Sequence, residues 1–219
     1  SHGAENVIDA IKDSCNCYFY EVGFRLGSTG NGLSNEQGLE TLGTYAKMFG
    51  LGEKSGLETE ESEPQISDET IVPSAIGQGS HNYTVSQLAR YVTTVANGGT
   101  CYNLSLLEKV TDSTGKLVGE YGSTVYNKLD VPQEYVATIQ HGMNAYAMNS
   151  SAISNIGISS AGKTGTAEQS VNHPNHALFI GYAPFENPEI ALAVRIANGY
   201  TSANAASIAA DVYKYYFEL

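Results

Sequence analysis

Strand-forming sequence is concentrated in one late stretch of this chain, and that segregation limits its fold more than any other feature. Ala161–Glu168 reads as a strand, and Ala177–Ala183 and Ile190–Ala197 are apolar runs parted by a turn at Glu186-Asn187-Pro188, together an antiparallel hairpin. Ala205–Phe217 then reads as a closing helix. Ahead of this stretch the pattern is mainly helical. Val7, Ile8, Ile11, Cys15, Tyr18, Phe19, Val22 and Leu26 keep helical spacing as one segment, ended by Gly27 and Gly30. Ser34 with Gln37 is a capping-box pattern and predicts a helix to about Phe49, before Gly50. Thr84 with Gln87 predicts another from Val85 to about Asn97, stopped by Gly98-Gly99. Pro132 suits the first turn of a helix reaching about Met148. The early strand signal is a hairpin, Leu104–Thr111 and Lys116–Tyr121 around Asp112-Ser113-Thr114-Gly115. Residues 51–80 and 149–160 read as loop. Helices first and strands later predict an α+β fold, an antiparallel sheet packed against helices, and not a βαβ repeat.

The composition narrows the partners. Eleven Lys+Arg stand against 23 Asp+Glu, a net charge of −12, which disfavours nucleic acid because phosphate contacts need a basic surface. Much of the acid lies between Glu58 and Glu69 and reads as a solvated surface loop. No apolar run approaches the ~20 residues that span a bilayer. The chain does not begin with Met, so a targeting segment upstream stays open. Cys15, Cys17 and Cys101 are an odd set, against a disulfide framework, and read as small packed hydrophobes. His173 and His176 flank Pro174 without an accompanying Cys-x-x-Cys, so no metal site and no cofactor are expected. His81, His141 and His176 receive no role.

Two motifs compete for one lysine. Gly157-Ile158-Ser159-Ser160-Ala161-Gly162-Lys163-Thr164 fits the phosphate-loop pattern of an NTPase. That loop works only between a buried strand and a helix whose N–H groups meet phosphate. Here polar loop precedes it, and Gly165 to Asn175, with its Gly, Thr, Asn and Pro, is a poor helix. The other motif is Lys163-Thr164-Gly165-Thr166, within Gly162 to Glu168, which resembles the Lys-Thr-Gly box of penicillin-binding proteins and serine β-lactamases. Ser14-Cys15-Asn16, set in Ala10 to Tyr20 with its aromatic cluster, looks like the Ser-x-Asn region of class B penicillin-binding proteins. Ile76-Gly77-Gln78-Gly79 and Thr84 to Gly99 look like landmarks of the same family. A class A β-lactamase would carry Glu-x-x-x-Asn between the boxes, and none is found.

The resemblance covers nearly the whole chain and implies a peptidoglycan D,D-transpeptidase. A serine of such an enzyme attacks the penultimate D-Ala carbonyl of a stem peptide ending in D-Ala-D-Ala, D-Ala leaves, and a neighbouring amine takes the acyl group. β-Lactam antibiotics imitate that end. It further implies work on the extracytoplasmic face of a bacterial membrane, beside membrane-bound wall-synthesis proteins. By resemblance, Lys163 supplies a permanent positive charge for the substrate carboxylate. The hydroxyls of Thr164 and Thr166 assist it, Gly165 admits the substrate backbone, and the Thr166 N–H is half of an oxyanion hole. Ser14 relays a proton to the leaving amine, and Asn16 holds substrate backbone.

The family's nucleophile lies in a Ser-x-x-Lys box several tens of residues before Ser-x-Asn, whereas 13 residues precede Ser14. Ser113-Thr114-Gly115-Lys116 and Ser160-Ala161-Gly162-Lys163 fit the pattern but come after Ser-x-Asn, and neither opens a buried helix. Residues 1–219 are therefore expected to be the C-terminal portion of one transpeptidase domain, a partial fold with about three of the family's five strands. An unpaired sheet edge, exposed apolar surface and no activity in isolation are expected to follow. A non-catalytic β-lactam-sensing or binding module of the same fold is the alternative.

Overall fold

The computed structural model describes residues 2–168 and 172–219. A helical part comes first: α1 (Val7–Asp13), α2 (Asn16–Gly27), a small ladder of β1 (Ser28–Thr29) with β2 (Gly32–Leu33), α3 (Asn35–Met48), the short α4 (Ile71–Ser74) and α5 (Val85–Ala96). Then β3 (Thr100–Tyr102), the hairpin of β4 (Lys109–Thr111) and β5 (Leu117–Glu120), and β6 (Val125–Lys128), which pairs with β3. Helix α6 (Gln133–Asn149) leads into the main sheet, β7 (Ala161–Ala167), β8 (His176–Ala183) and β9 (Ile190–Ile196), and α7 (Ser202–Tyr216) closes the chain. The sheet is antiparallel in the order β7-β8-β9, so β7 and β9 are its edges among the described residues. The α+β architecture follows the segregation seen in the sequence.

The single helix expected over Val7–Leu26 is two helices. Ser14 stands in the left-handed region (φ 52°, ψ 47°) and closes α1. Its N–H donates to the Ile11 carbonyl at 3.3 Å, and the Cys15 N–H reaches back to Ala10 at 3.0 Å. That is the paired bonding of a Schellman closure, with serine where glycine is usual, at a cost of roughly 1–3 kcal/mol. Buried Ala10 and Cys15 supply the apolar contact that accompanies such a closure.

Other ends came out as the capping signals imply. At α5 both halves of the Thr84–Gln87 capping box form. At α3, Ser34 Oγ accepts from the Gln37 N–H at 3.3 Å. Two expectations need correction. The 51–80 loop contains α4 and pairs Gln65 with Asn82. The acidic run is not merely solvated: Glu58 accepts from the Leu106 N–H (2.9 Å) and Ser105 Oγ. Glu61 accepts from the Ser55 N–H (2.6 Å), Thr84 Oγ1 (2.6 Å) and Ser86 Oγ. These carboxylates fasten an otherwise irregular segment, Glu61 by supplying an acceptor to the N–H of buried Ser55 and Glu58 at the exposed Leu106.

Two cores flank the sheet. On one face Ala177, Phe179 and Ala183 meet α7 through Ala205, Ala206, Ala209, Ala210 and Tyr213. On the other, Ala161 and Tyr182 meet Val92, Val95 and Ala96 of α5 and Met143 of α6. Helix α6 also packs against α1. There Gly142 allows close approach, since a Cβ on it would lie 2.9 Å from Ile11 Cβ. Ile208, Val212 and Tyr215 remain exposed along the outer side of α7.

Because that α1–α6 contact has no room, Gly142→Val is expected to destabilise the fold by about 1–3 kcal/mol through overpacking. A urea-denaturation midpoint unchanged from wild type would contradict the contact.

Candidate active site

The break at Ser14 turns the Ser14-Cys15-Asn16 tripeptide into a connection between two helices, with Asn16 as the first residue of α2 and Ser14 and Asn16 both exposed. Across from it lies β7. Lys163 Nζ donates to Ser14 Oγ and, at 2.9 Å, to the Thr164 carbonyl. The two side chains are 149 positions apart in sequence. Helix α6 brings them together, as it packs on α1 on one side and on β7 on the other, where Asn144 Nδ2 donates to the Ser160 carbonyl at 2.8 Å.

Register sorts the rest of the box. Lys163 faces Ile180 and Gly165 faces Leu178, while Thr164 opposes Phe179 and Thr166 opposes Ala177. Side chains alternate along a strand, so Lys163 and Gly165 share the face towards α5 and α6. Thr164 and Thr166 are turned to the α7 side, with Thr166 exposed. The side chains of the box therefore do not all converge. Ser113 and Lys116 lie at the β4–β5 turn, where Asp112 Oδ1 accepts from the Thr114 and Lys116 N–H groups. Ser160 is buried directly before β7. Lys163 sits within a strand and not at a helix start, which removes the geometry a phosphate loop requires.

Burial pushes the Lys163 ammonium down to about 8 from an ordinary 10.5. Its charge is thus not permanent, contrary to the expectation from sequence. None of the ion pairs among the described residues involves Lys163. The ring of Tyr146 on α6 also lies beside it, its centroid 4.9 Å from Nζ. Sequence reasoning missed Tyr146. The signal was available: it follows Met143 by three residues on a predicted helix and so lies on the side that carries Met143 inward.

Beneath Ser14, His2, Glu5 and Cys15 bring donor atoms within 4.8 Å of one another, a set that could hold a divalent cation. The Glu5 side chain is 6% exposed, its Oε1 lies 3.5 Å from His2 Nδ1, and its carboxylate raises the pKa of the Cys15 thiol. His81 is tied into its own loop by the Ser67 N–H and Tyr83, the His141 ring meets Phe185 at a tilt of 59°, and His176 lies beside Arg195.

The family described as penicillin binding protein transpeptidase domain matches residues 1–215. Penicillin-binding protein 2A of Bacillus subtilis (strain 168) is 28% identical over 99% of this chain and 35% of its own length. The peptidoglycan D,D-transpeptidase MrdA of Acinetobacter baumannii is 28% identical over 98% of this chain and 35% of its own. The structure of penicillin-binding protein 2B from Streptococcus pneumoniae (strain R6) superposes with a TM-score of 0.83 at 27% identity, covering 97% of this chain and 39% of that one. The chain thus spans about a third of the length of the curated relatives it matches.

In a titration of protein labelled with carbon-13 at lysine Cε, Lys163 is expected to lose its proton near pH 8. A lysine in an ordinary aqueous setting holds its proton to about 10.4. Below that midpoint the site offers an ammonium and above it a neutral amine. Co-titration of Lys163 with the bulk lysines would refute its burial.

Proposed function

The chain belongs to the penicillin-binding protein transpeptidase family, and on that premise we propose that it forms part of the acyl-transfer site of a peptidoglycan D,D-transpeptidase. The observation that carries this reading is the Lys163–Ser14 hydrogen bond at an open strand edge. A hydroxyl is a poor proton carrier unless a neighbour shifts its balance. An amine with a pKa near 8 is a suitable neighbour, able to exchange the Ser14 proton at little cost. In this reading a serine attacks the penultimate D-Ala carbonyl, and Ser14 passes a proton to the nitrogen that leaves. An amine from a second stem then takes the acyl group.

The ammonium form of Lys163 receives the substrate carboxylate; the Thr164 and Thr166 hydroxyls, turned to the α7 side of the strand, reach that carboxylate only around the open edge. The Thr164 carbonyl accepts from Lys163 Nζ and so is taken to face the open edge. A residue's N–H and C=O point the same way in an antiparallel strand, and every second residue repeats the direction. The Thr166 N–H is then directed outwards, fit to donate to a developing oxyanion, where one donor is typically worth about 3 kcal/mol. Gly165 leaves space for a peptide added as a further strand. Asn16, at the start of α2, is assigned to substrate backbone.

We assign the nucleophile to chain outside residues 1–219, since neither Ser-x-x-Lys match here lies on a helix. The same outside portion would complete the domain and pair with the free edge of β9. Stem peptides ending in D-Ala-D-Ala and β-lactams are the proposed ligands, membrane-bound wall-synthesis proteins the proposed partners, and the outer face of a bacterial membrane the proposed location.

Intact-mass analysis after benzylpenicillin treatment tests this on two proteins, the full-length chain and residues 1–219. The full-length chain is expected to gain one stable acyl adduct and the shorter one none. An adduct on residues 1–219 would put the nucleophile within them. No adduct on either would leave a non-catalytic binding module as the better reading.

A further inference from the structure

A buried ammonium is normally matched by a carboxylate, because an unpaired charge in low dielectric is costly. Among the described residues no ion pair joins Lys163 to a carboxylate, although the chain carries 23 acidic residues. The contacts of Lys163 among the described residues include a hydroxyl (Ser14 Oγ), a carbonyl (Thr164) and an aromatic face (Tyr146). The first two act as neutral acceptors. The third attracts a cation through the ring quadrupole, and 4.9 Å to the centroid is well inside the ~6 Å over which that attraction counts.

We propose that Tyr146 is a positioning residue for Lys163, holding the ammonium in the site while leaving its charge uncompensated for an incoming carboxylate. This rests on the assignment of Lys163 as the carboxylate-binding group. A carboxylate at the place of Tyr146 would also hold the ammonium, but it would neutralise the charge and compete with the substrate. An aliphatic side chain would fill the space and give the ammonium nothing. The ring is fixed well enough to serve, since Tyr146 packs against the core beneath the sheet and the neighbouring Met143 and Ala147 are buried.

The remaining titratable groups around Lys163 do not perform this task. Asp13, beside Ser14, is paired with Lys12. On the Lys163 face of the sheet, Tyr182 opposes Ala161 and His176 opposes Ala167, at the two ends of β7, and Arg195 lies a strand farther off. His141 of α6 is engaged with Phe185. The titratable residues of α7 belong to the helix on the opposite face.

The test is the pH dependence of benzylpenicillin acylation in the full-length protein, from about pH 6 to about pH 10, either side of the expected midpoint. The wild-type rate should fall as pH rises through about 8, when the ammonium is lost. Tyr146→Phe keeps the ring face and should keep that limb. Tyr146→Leu should move it down by about half to one pH unit. If the leucine variant does not fold, Tyr146→Trp serves, and its stronger quadrupole should move the limb upwards. A limb that stays in place in folded Tyr146→Leu or Tyr146→Trp overturns the proposal, as does one that moves equally in Tyr146→Phe. A wild-type profile without an alkaline limb, with Lys163→Met acylated at the wild-type rate, removes the role of Lys163 itself and this inference with it.

Discussion

The site depends on one long-range contact, the hydrogen bond between Lys163 and Ser14. Neither partner is placed by its own element alone. Ser14 is exposed because α1 closes in a left-handed residue, and that closure is fixed by two backbone bonds to Ala10 and Ile11. Lys163 is held by an edge strand bonded on one side to β8. Helix α6 spans the gap, with Gly142 against Ile11, Tyr146 against Lys163, and Asn144 fastening the approach to β7. A shift of α6 would therefore disturb the hydroxyl and the amine together. This gives a structural reason for a glycine in the middle of a 17-residue helix, where it costs about 1 kcal/mol against alanine.

The electrostatics follow from the same placement. On the proposed reading, a protein of net charge −12 that receives a carboxylate has to keep its own carboxylates away from the receiving cation. Two of them, Glu58 and Glu61, are engaged by backbone and hydroxyl donors, and the hydrogen bonds to each outweigh burial and hold it below the usual carboxylate range. Asp9 and Asp13 are occupied by Lys12. The ammonium of Lys163 lies among neutral acceptors and an aromatic ring.

Much of the fold was legible because its signals are local. The capping box at Thr84 and Gln87, the glycines after Asn97, the Asp112–Gly115 turn and the apolar runs of β8 and β9 each state their structure within a few residues. The pairing of β3 with β6 was not legible, because two strands of three and four residues separated by a hairpin carry no periodicity that names their partner. The break at Ser14 was masked for another reason. The apolar spacing from Val7 to Leu26 continues across it, so periodicity reported one helix. The residues that favour caps and turns, Asp13, Ser14 and Asn16, were present in the middle of it. For the candidate site, the Lys163 and Ser14 boxes were readable as motifs; helical spacing could place Tyr146 on the inward side of α6, but only the packing of α6 on β7 shows which residue it meets.

The edge position of β7 joins risk to use. An edge strand exposes unpaired N–H and C=O groups that can recruit another strand, and proteins usually blunt such edges. Here the edge carries glycine at residue 165, a lysine curled back onto the Thr164 carbonyl and an exposed threonine. A charged side chain that satisfies its own edge carbonyl is a reversible cover. It occupies the acceptor while the site is empty and can be drawn off by a carboxylate that binds the ammonium more strongly. On the proposed reading, substrate binding and exposure of the strand edge are then one event. The ligand that engages Lys163 also frees the backbone along which it is to lie, and a chain without such a carboxylate meets an edge already partly capped.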